Sequence, residues 1–293
     1  MTLPGSFLPD LARLERDVRR LAVVRHAEAD PEALEAAAAY IASELAATGL
    51  ATQRQPFIWK ERSFDNVVGV REGSDPSRPW VVVGAHFDST PTTPGADDNA
   101  SGVAALLEIA RALVDFTPAA TIHFVGFNLE EIQTWLPPVY RVGSKAYVTW
   151  LTDQVAQVAG AFVLEMVGFT GPVQRVPAAV NLIKRVPKTG DFLAAVGDGR
   201  SAHLLAAMER AAHGVVPLVT LSVPLKGFVV PDTRRSDNAR FWDVDYPALM
   251  VTDTADLRNP HYHKASDTPD SLDYVFMGKV VTVVTAAVRE LAG

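Results

Sequence analysis

A chain of 293 residues with 48% hydrophobic and 21% charged side chains has the composition of an ordinary globular protein, and at that length roughly 75% of the unfolded surface can be buried. A formal charge of −7 without a basic cluster argues against a nucleic-acid or anionic-membrane surface, and no apolar run approaches the roughly 20 residues that span a bilayer. The absence of cysteine excludes disulfides and thiolate metal sites, so any metal must be held by histidine and carboxylate.

Two helices open the chain, over 8–24 and 32–49. The second has Asp30 as N-cap, Pro31 at the first helical position and Gly49 as a stop. The opening "MTLPGSFLPDLARLERDVRRL" is amphipathic and lacks the basic-then-apolar order of a signal peptide, so the cytoplasm is the expected compartment. Strand-like runs follow at "NVVGV", "PWVVVGAHFD", "ATIHFVGFN", "AGAFVLEMVG", "DFLAAVGD" and "YPALMVTDT". Most are continuously apolar, as strands covered on both faces should be. Helical patterns lie between them at 101–115, 142–158, 200–213 and 275–291. This alternation predicts an α/β fold with a largely parallel sheet between helices. No repeat, low-complexity tract or Gly/Ser linker divides the sequence. Residues 1–293 therefore read as one domain, the helices of 1–50 packing on the sheet. The irregular stretches 169–190 and 222–236 are placed to rim a site.

Ligands of an open α/β sheet bind beyond the carboxyl ends of its strands, and there the unusual residues gather. One strand ends in His86 and Asp88, another in Glu130 and Glu131. A third carries Glu165, and His261 and His263 follow the last. Any one of these alone is an ordinary solvated loop residue; four strand ends so equipped point to a metal. His86, Asp98, Glu131, Glu165 and His263 can hold two zinc ions if one carboxylate bridges them, and two metals about 3.5–4 Å apart can share a hydroxide and polarise a substrate oxygen. Asp98 is the bridging candidate, since Ser101 can cap the helix that follows and fix the turn. Glu130 and Glu131, adjacent on an extended chain end, point in different directions, so one can bind metal while the other takes the proton of a water. Asp88, two residues after His86, is placed to receive the imidazole's other N–H.

The stretches "AHFDS", "PGADDNASG", "NLEE" with "GSKAYV", "LEMVG", "RRSDNARFW" and "PHYHKASDTPDSLDY" resemble the zinc exopeptidases of the bacterial leucyl-aminopeptidase type, over roughly residues 30–290. That wider family includes glutamate carboxypeptidases and glutaminyl cyclases. The resemblance implies a mixed, mainly parallel sheet of about eight strands sandwiched by helices and an aminopeptidase with two zinc ions per chain. His86 and Glu165 would hold one ion, Glu131 and His263 the other; Asp98 would bridge, Glu130 would be the general base, and a hydroxide between the ions would attack. It prefers His263 over His261 as ligand and makes Asp267 a supporting partner nearby. The substrate is then a peptide whose free amino group sits near Glu130 or Glu165.

Three departures stand out. Glu165 replaces the aspartate of many members. Ser236, Asp237 and Asn238 stand where Ser-Asp-His is usual. The eleven residues Ile132 to Val142, "IQTWLPPVYRV", form an insertion beside the base. Glutaminyl cyclases carry a Trp-containing insert there and work with one zinc on the equivalents of Asp98, Glu131 and His263. The "GADDNASG" form, with both His86 and Glu165 present, favours the peptidase. An inactive binding module on the same fold would have lost the base or the bridging ligand, and neither is lost. "WLPPVY", Phe228 and Trp242 are candidate apolar pocket walls. His123 reads as a packed sheet histidine, and His26, His203 and His213 read as surface.

Overall fold

The computed structural model describes residues 8–135, 138–181 and 184–293. Residues 1–7, part of the "WLPPVY" stretch and the pair at 182–183 lie outside them.

Helix α1 (Leu11–Leu21) begins at an Asp10 cap, and α2 (Pro31–Ala47) starts as its sequence dictates. The Asp30 carboxylate accepts the Ala33 amide at 2.9 Å and Pro31 occupies the first turn. Losing such a cap costs about 1 kcal/mol. Asp30→Ala is therefore expected to lower the unfolding free energy by about that amount, read as an earlier denaturant midpoint with an unchanged slope. The turn between these helices contains His26, expected at the surface. It is instead buried, its Nδ1 accepting the Glu28 and Ala29 amides at 3.2 Å each.

The remaining elements are β1 (Ala51–Trp59), β2 (Arg62–Arg71), β3 (Trp80–His86), α3 (Gly102–Ala112), β4 (Ile122–Phe127), the two-residue strands β5 (Thr134–Trp135) and β6 (Pro138–Val139), α4 (Val142–Asp153), β7 (Val158–Glu165), α5 (Ala178–Asn181), β8 (Leu193–Asp198), α6 (Ala202–Ala212), β9 (Leu218–Val223), α7 (Asn238–Asp243), β10 (Ala248–Thr252) and α8 (Tyr274–Ala292). Eight strands form one mixed sheet in the order β1-β2-β4-β3-β7-β10-β8-β9. The central four, β4-β3-β7-β10, run parallel. At one flank β1 and β2 are antiparallel; at the other β8 opposes β10 and pairs in parallel with β9.

Helices cover both faces, which is why the central strands are apolar without alternation. On one face Leu14, Ile41, Leu106, Met208 and Val284 share a core drawn from α1, α2, α3, α6 and α8. On the other, Tyr147 and Leu151 of α4 pack with Phe241 and Trp242 of α7 against Val82, Phe127 and Val163. Gly84 is needed in the middle of β3, because a Cβ there would lie 2.4 Å from the Phe127 ring. α1 is also clamped by charge: buried Glu108 of α3 accepts both Nε and Nη2 of Arg13 at 2.7 Å, and buried Asp17 accepts Arg111 at 2.6 Å and the Tyr40 hydroxyl at 2.7 Å.

The structure differs from the sequence reading in the short elements β5, β6, α5 and α7, which were not expected, and in three longer ones. β1 and β9 were not legible as strands because both are edges whose residues are mostly half-exposed, so neither carries a continuous apolar run; Pro56 within β1 is tolerated only at an edge. The helix expected over 142–158 stops at Asp153, and the chain turns through Val155 at φ 53° before β7. His123 on β4 is buried as expected, its Nδ1 2.8 Å from the Tyr147 hydroxyl, and burial lowers its pKa to about 4.

Candidate metal centre

Because β4, β3, β7 and β10 are parallel neighbours, their carboxyl ends lie side by side. β3 ends on His86, β7 ends on Glu165, Glu130 and Glu131 follow β4, and His263 follows β10. Asp98 comes from the irregular turn Ala96–Ser101 that leads into α3. Two groups of potential ligand atoms result: His86, Asp98 and Glu165, and Asp98, Glu131 and His263, the atoms of each group lying within 4.8 Å of one another. Asp98 belongs to both. Its Oδ1 is 3.3 Å from His86 Nε2 and its Oδ2 3.1 Å from His263 Nε2. Glu165 Oε2 lies 3.4 Å from His86 Nε2, and Glu131 Oε1 lies 3.5 Å from His263 Nε2.

These residues fit zinc. His86 Nε2 and Glu131 Oε1 are buried atoms without a hydrogen-bond partner among the described residues, and buried polar atoms are otherwise almost always satisfied. Imidazole and carboxylate are the ligands zinc takes when no thiolate is available. The electrostatics agree. Burial pushes Glu130 well above the usual carboxylate range, and burial with the Asp98 charge raises Glu131 to about 7. Burial opposes charge on Asp98 too, but His263 and His86 outweigh it and hold that carboxyl well below its ordinary value. The carboxylates in turn overcome burial at both imidazoles, raising His263 to about 10 and His86 well above 6.5. A buried cluster this rich in carboxylate is stabilised by cations.

Among the described residues, four of the five candidate ligands, all but His263, are hydrogen-bonded to a supporting neighbour. Asp88 was expected to orient His86. His86 Nδ1 does meet it, 3.2 Å from the Asp88 carbonyl and 3.5 Å from Oδ1, and the Asp88 carboxylate also accepts the amides of Glu130 at 2.9 Å and Glu131 at 3.1 Å, fixing both glutamates. Asp267 plays the matching part for the bridge: rather than serving His263, it accepts the amides of Asp97 at 2.9 Å and Asp98 at 3.2 Å. Ser101 makes no cap bond to α3; its hydroxyl donates to the Asp97 carbonyl and accepts the Val167 amide. Asn99 does that work, its Oδ1 accepting the Gly102 and Met166 amides and its Nδ2 donating to the Leu164 carbonyl, so the Asp98 turn is stitched to the end of β7. Ser236 donates to Glu165 Oε2 at 2.6 Å. Nothing in the spacing of "ADDN" or "RRSDN" distinguishes these supports from ligands, which is why sequence reasoning missed them.

His261 stands apart from the cluster, its Nδ1 2.9 Å from the Ser266 hydroxyl. The ring of His263 is stacked on Tyr262 at 3.8 Å between centroids. Within the insertion, β5 and β6 form a small hairpin whose base is closed by the bonds Arg141 N to Glu130 O and Val142 N to Leu129 O. Gly143 follows where a Cβ would lie 2.2 Å from the Asn128 carbonyl oxygen, so only glycine permits this closure. Arg141 is buried and donates to the carbonyls of Arg234 and Ser236, docking the insertion on the segment that holds Glu165. Asp237 is buried as well, and burial raises it to about 7, with Glu165 and Asp88 adding to the rise and His86 opposing it.

A cavity of about 130 Å³ opens beside Glu165, walled by Val176, Val180, Val196, Leu221, Val230 and Met250, with Tyr262 and Arg235 also on its lining. The stretches 169–190 and 222–236 thus rim the site as expected. The expected walls Phe228 and Trp242 do not: Trp242 is fully buried core, and Phe228 is 64% exposed with the Arg234 guanidinium 4.1 Å from its ring.

Protein YfbL of Escherichia coli (strain K12) is 32% identical over 287 residues, covering 92% of this chain and 84% of its own length. The fold is shared with BSAP, a zinc aminopeptidase from Bacillus subtilis, at a TM-score of 0.72 and 16% identity over 99% of this chain and 96% of that one. It is shared equally with a glutaminyl cyclase of Fimbriiglobus ruber, at a TM-score of 0.70 and 18% identity over 99% and 96%. The pattern of peptidase family M28 matches residues 66–288, and the chain belongs to that family, the zinc-dependent exopeptidases whose motifs it carries.

Proposed function

We propose that this peptidase is a metallo-aminopeptidase, one zinc-peptidase domain over residues 1–293, that removes the N-terminal residue of peptides with two zinc ions. The observation that carries the reading is the membership of Asp98 in both ligand groups, each completed by one imidazole and one glutamate. His86 and Glu165 would hold one ion, Glu131 and His263 the other, with Asp98 between them. When bound, such a pair polarises the scissile carbonyl and acidifies the attacking water. Glu130, its amide anchored by Asp88, is buried beside the ligands without belonging to either group, the position a general base requires. Its carboxylate accepts the water's proton and returns it to the departing amine. The substrate's ammonium group is drawn to the carboxylates of Glu130 and Glu165, and the apolar cavity beside Glu165 receives the N-terminal side chain.

A second reading, glutaminyl cyclase, is favoured by the insertion and by the structural likeness to such an enzyme. A cyclase attacks with the substrate's own amine, so it has no use for the His86–Glu165 pair. Incubation with Leu-Ala and Gln-Ala, followed by mass spectrometry, separates the two. Free leucine from Leu-Ala is the expected product. Loss of ammonia from Gln-Ala above the spontaneous rate, with Leu-Ala intact, would replace the aminopeptidase by the cyclase.

A further inference from the structure

Between α1 and α2, far from the ligands in sequence, Arg25 lies fully buried against the metal centre. Its guanidinium makes no bond to a side chain among the described residues. Each of its nitrogens meets backbone carbonyls: Nε that of Phe87 at 2.7 Å, Nη1 those of Val23 and Pro94 at 2.8 Å each and that of Leu21, and Nη2 that of Gly95 at 3.1 Å. The backbone of Arg25 joins in, its amide donating to the Ser89 hydroxyl at 2.9 Å and its carbonyl accepting the Ser89 amide at 2.8 Å.

Three of these five carbonyls, those of Phe87, Pro94 and Gly95, belong to one segment, 87–95; the other two lie in the turn that carries Arg25 itself. That segment starts directly after His86, contains Asp88, and ends at Gly95, whose carbonyl also accepts the Ala100 amide across the Asp98 turn. Thr93 extends the connection to the third ligand loop by donating to the carbonyl of Lys264, next to His263. One side chain thus sits under the strand end of His86, the support of both glutamates and the turn of Asp98. A water or a small polar residue could satisfy a single carbonyl; only a planar fork of donors satisfies these together. Burial draws the Arg25 pKa down to about 10, with Asp88, Asp98, Asp267 and Glu131 opposing that fall, so the group remains a cation at neutral pH.

Resting on the two-zinc reading above, we propose that Arg25 is a positioning residue of the metal centre: its buried fork holds segment 87–95 in the one arrangement in which His86 and Asp98 converge on zinc. Supports of this kind typically change metal affinity by 10–100-fold. The test is zinc affinity, measured by competition with a fluorescent chelator on metal-stripped protein, for the wild type, Arg25→Lys and Arg25→Met, together with the visible spectrum of each cobalt-substituted form. Both variants should bind zinc about 10–100-fold more weakly with an altered cobalt spectrum, and lysine should fail to rescue, because a point charge cannot reach all the carbonyls. Arg25→Lys with wild-type affinity and spectrum would overturn the proposal. So would tighter zinc binding by Arg25→Met, which would make Arg25 a repelling charge instead of an anchor. If neither variant folds, Ser89→Ala removes the hydroxyl that accepts the Arg25 amide and faces the Thr90 and Thr93 carbonyls of the same segment, and should weaken zinc by at least about fivefold, the equivalent of one ordinary hydrogen bond; no change there overturns it equally. A wild type that takes up no zinc in this assay overturns the two-zinc reading itself, and Arg25 falls with it.

Discussion

Glu130→Gln is expected to lower kcat by on the order of 10²–10⁴ while leaving zinc content near that of the wild type. Glutamine preserves the shape of the side chain and the bond from the Glu130 amide to Asp88, so the variant loses only the ability to take and return a proton. Glu131→Gln, one residue on, should behave oppositely. It replaces the carboxylate that faces His263 at 3.5 Å with a poor zinc ligand, so metal is lost and activity falls as a consequence. Metal analysis of the purified variants beside their steady-state kinetics separates the two roles. A zinc-depleted Glu130→Gln with a fully loaded Glu131→Gln would exchange the assignments.

Removal of Asp98 should be the most damaging single change to the metal centre. Its two oxygens face His86 and His263 separately, so Asp98→Ala takes a ligand from both ions, and zinc content should fall from about two towards none. Activity should then drop by at least about 10³-fold, since Lewis-acid stabilisation of the transition state leaves with the metals. Glu165→Ala takes a ligand from one ion only and should leave about one zinc per chain. Equal losses in the two variants would mean that Asp98 serves a single site.

The difference between what was legible in the sequence and what was not follows burial and chain distance. The central strands announced themselves because both faces are covered, and the candidate ligands because histidine and carboxylate at four apolar strand ends have no packing role. β1 and β9 stayed hidden because an edge strand needs neither an apolar run nor alternation. The supports of the site were legible as residues but not in all their partners, for a different reason. Asp88 and Asp267 both act on backbone amides, at 42 and 170 residues' remove for Glu130 and Asp97 respectively, and no local pattern encodes which amide a carboxylate will meet after folding. Arg25 lay in a stretch that resembled a surface turn, and its acceptors are carbonyls, which every residue possesses. The ligand set is thus written in residue types, whereas its scaffold is written in tertiary geometry.

The central claim, two zinc ions sharing Asp98, is tested most directly by anomalous diffraction at the zinc absorption edge from a crystal of zinc-loaded protein. The account predicts two peaks about 3.5–4 Å apart, one between His86 and Glu165 and one between Glu131 and His263, with the Asp98 carboxylate spanning them. A single peak beside Glu131 and His263, with none at His86 under saturating zinc, would contradict it.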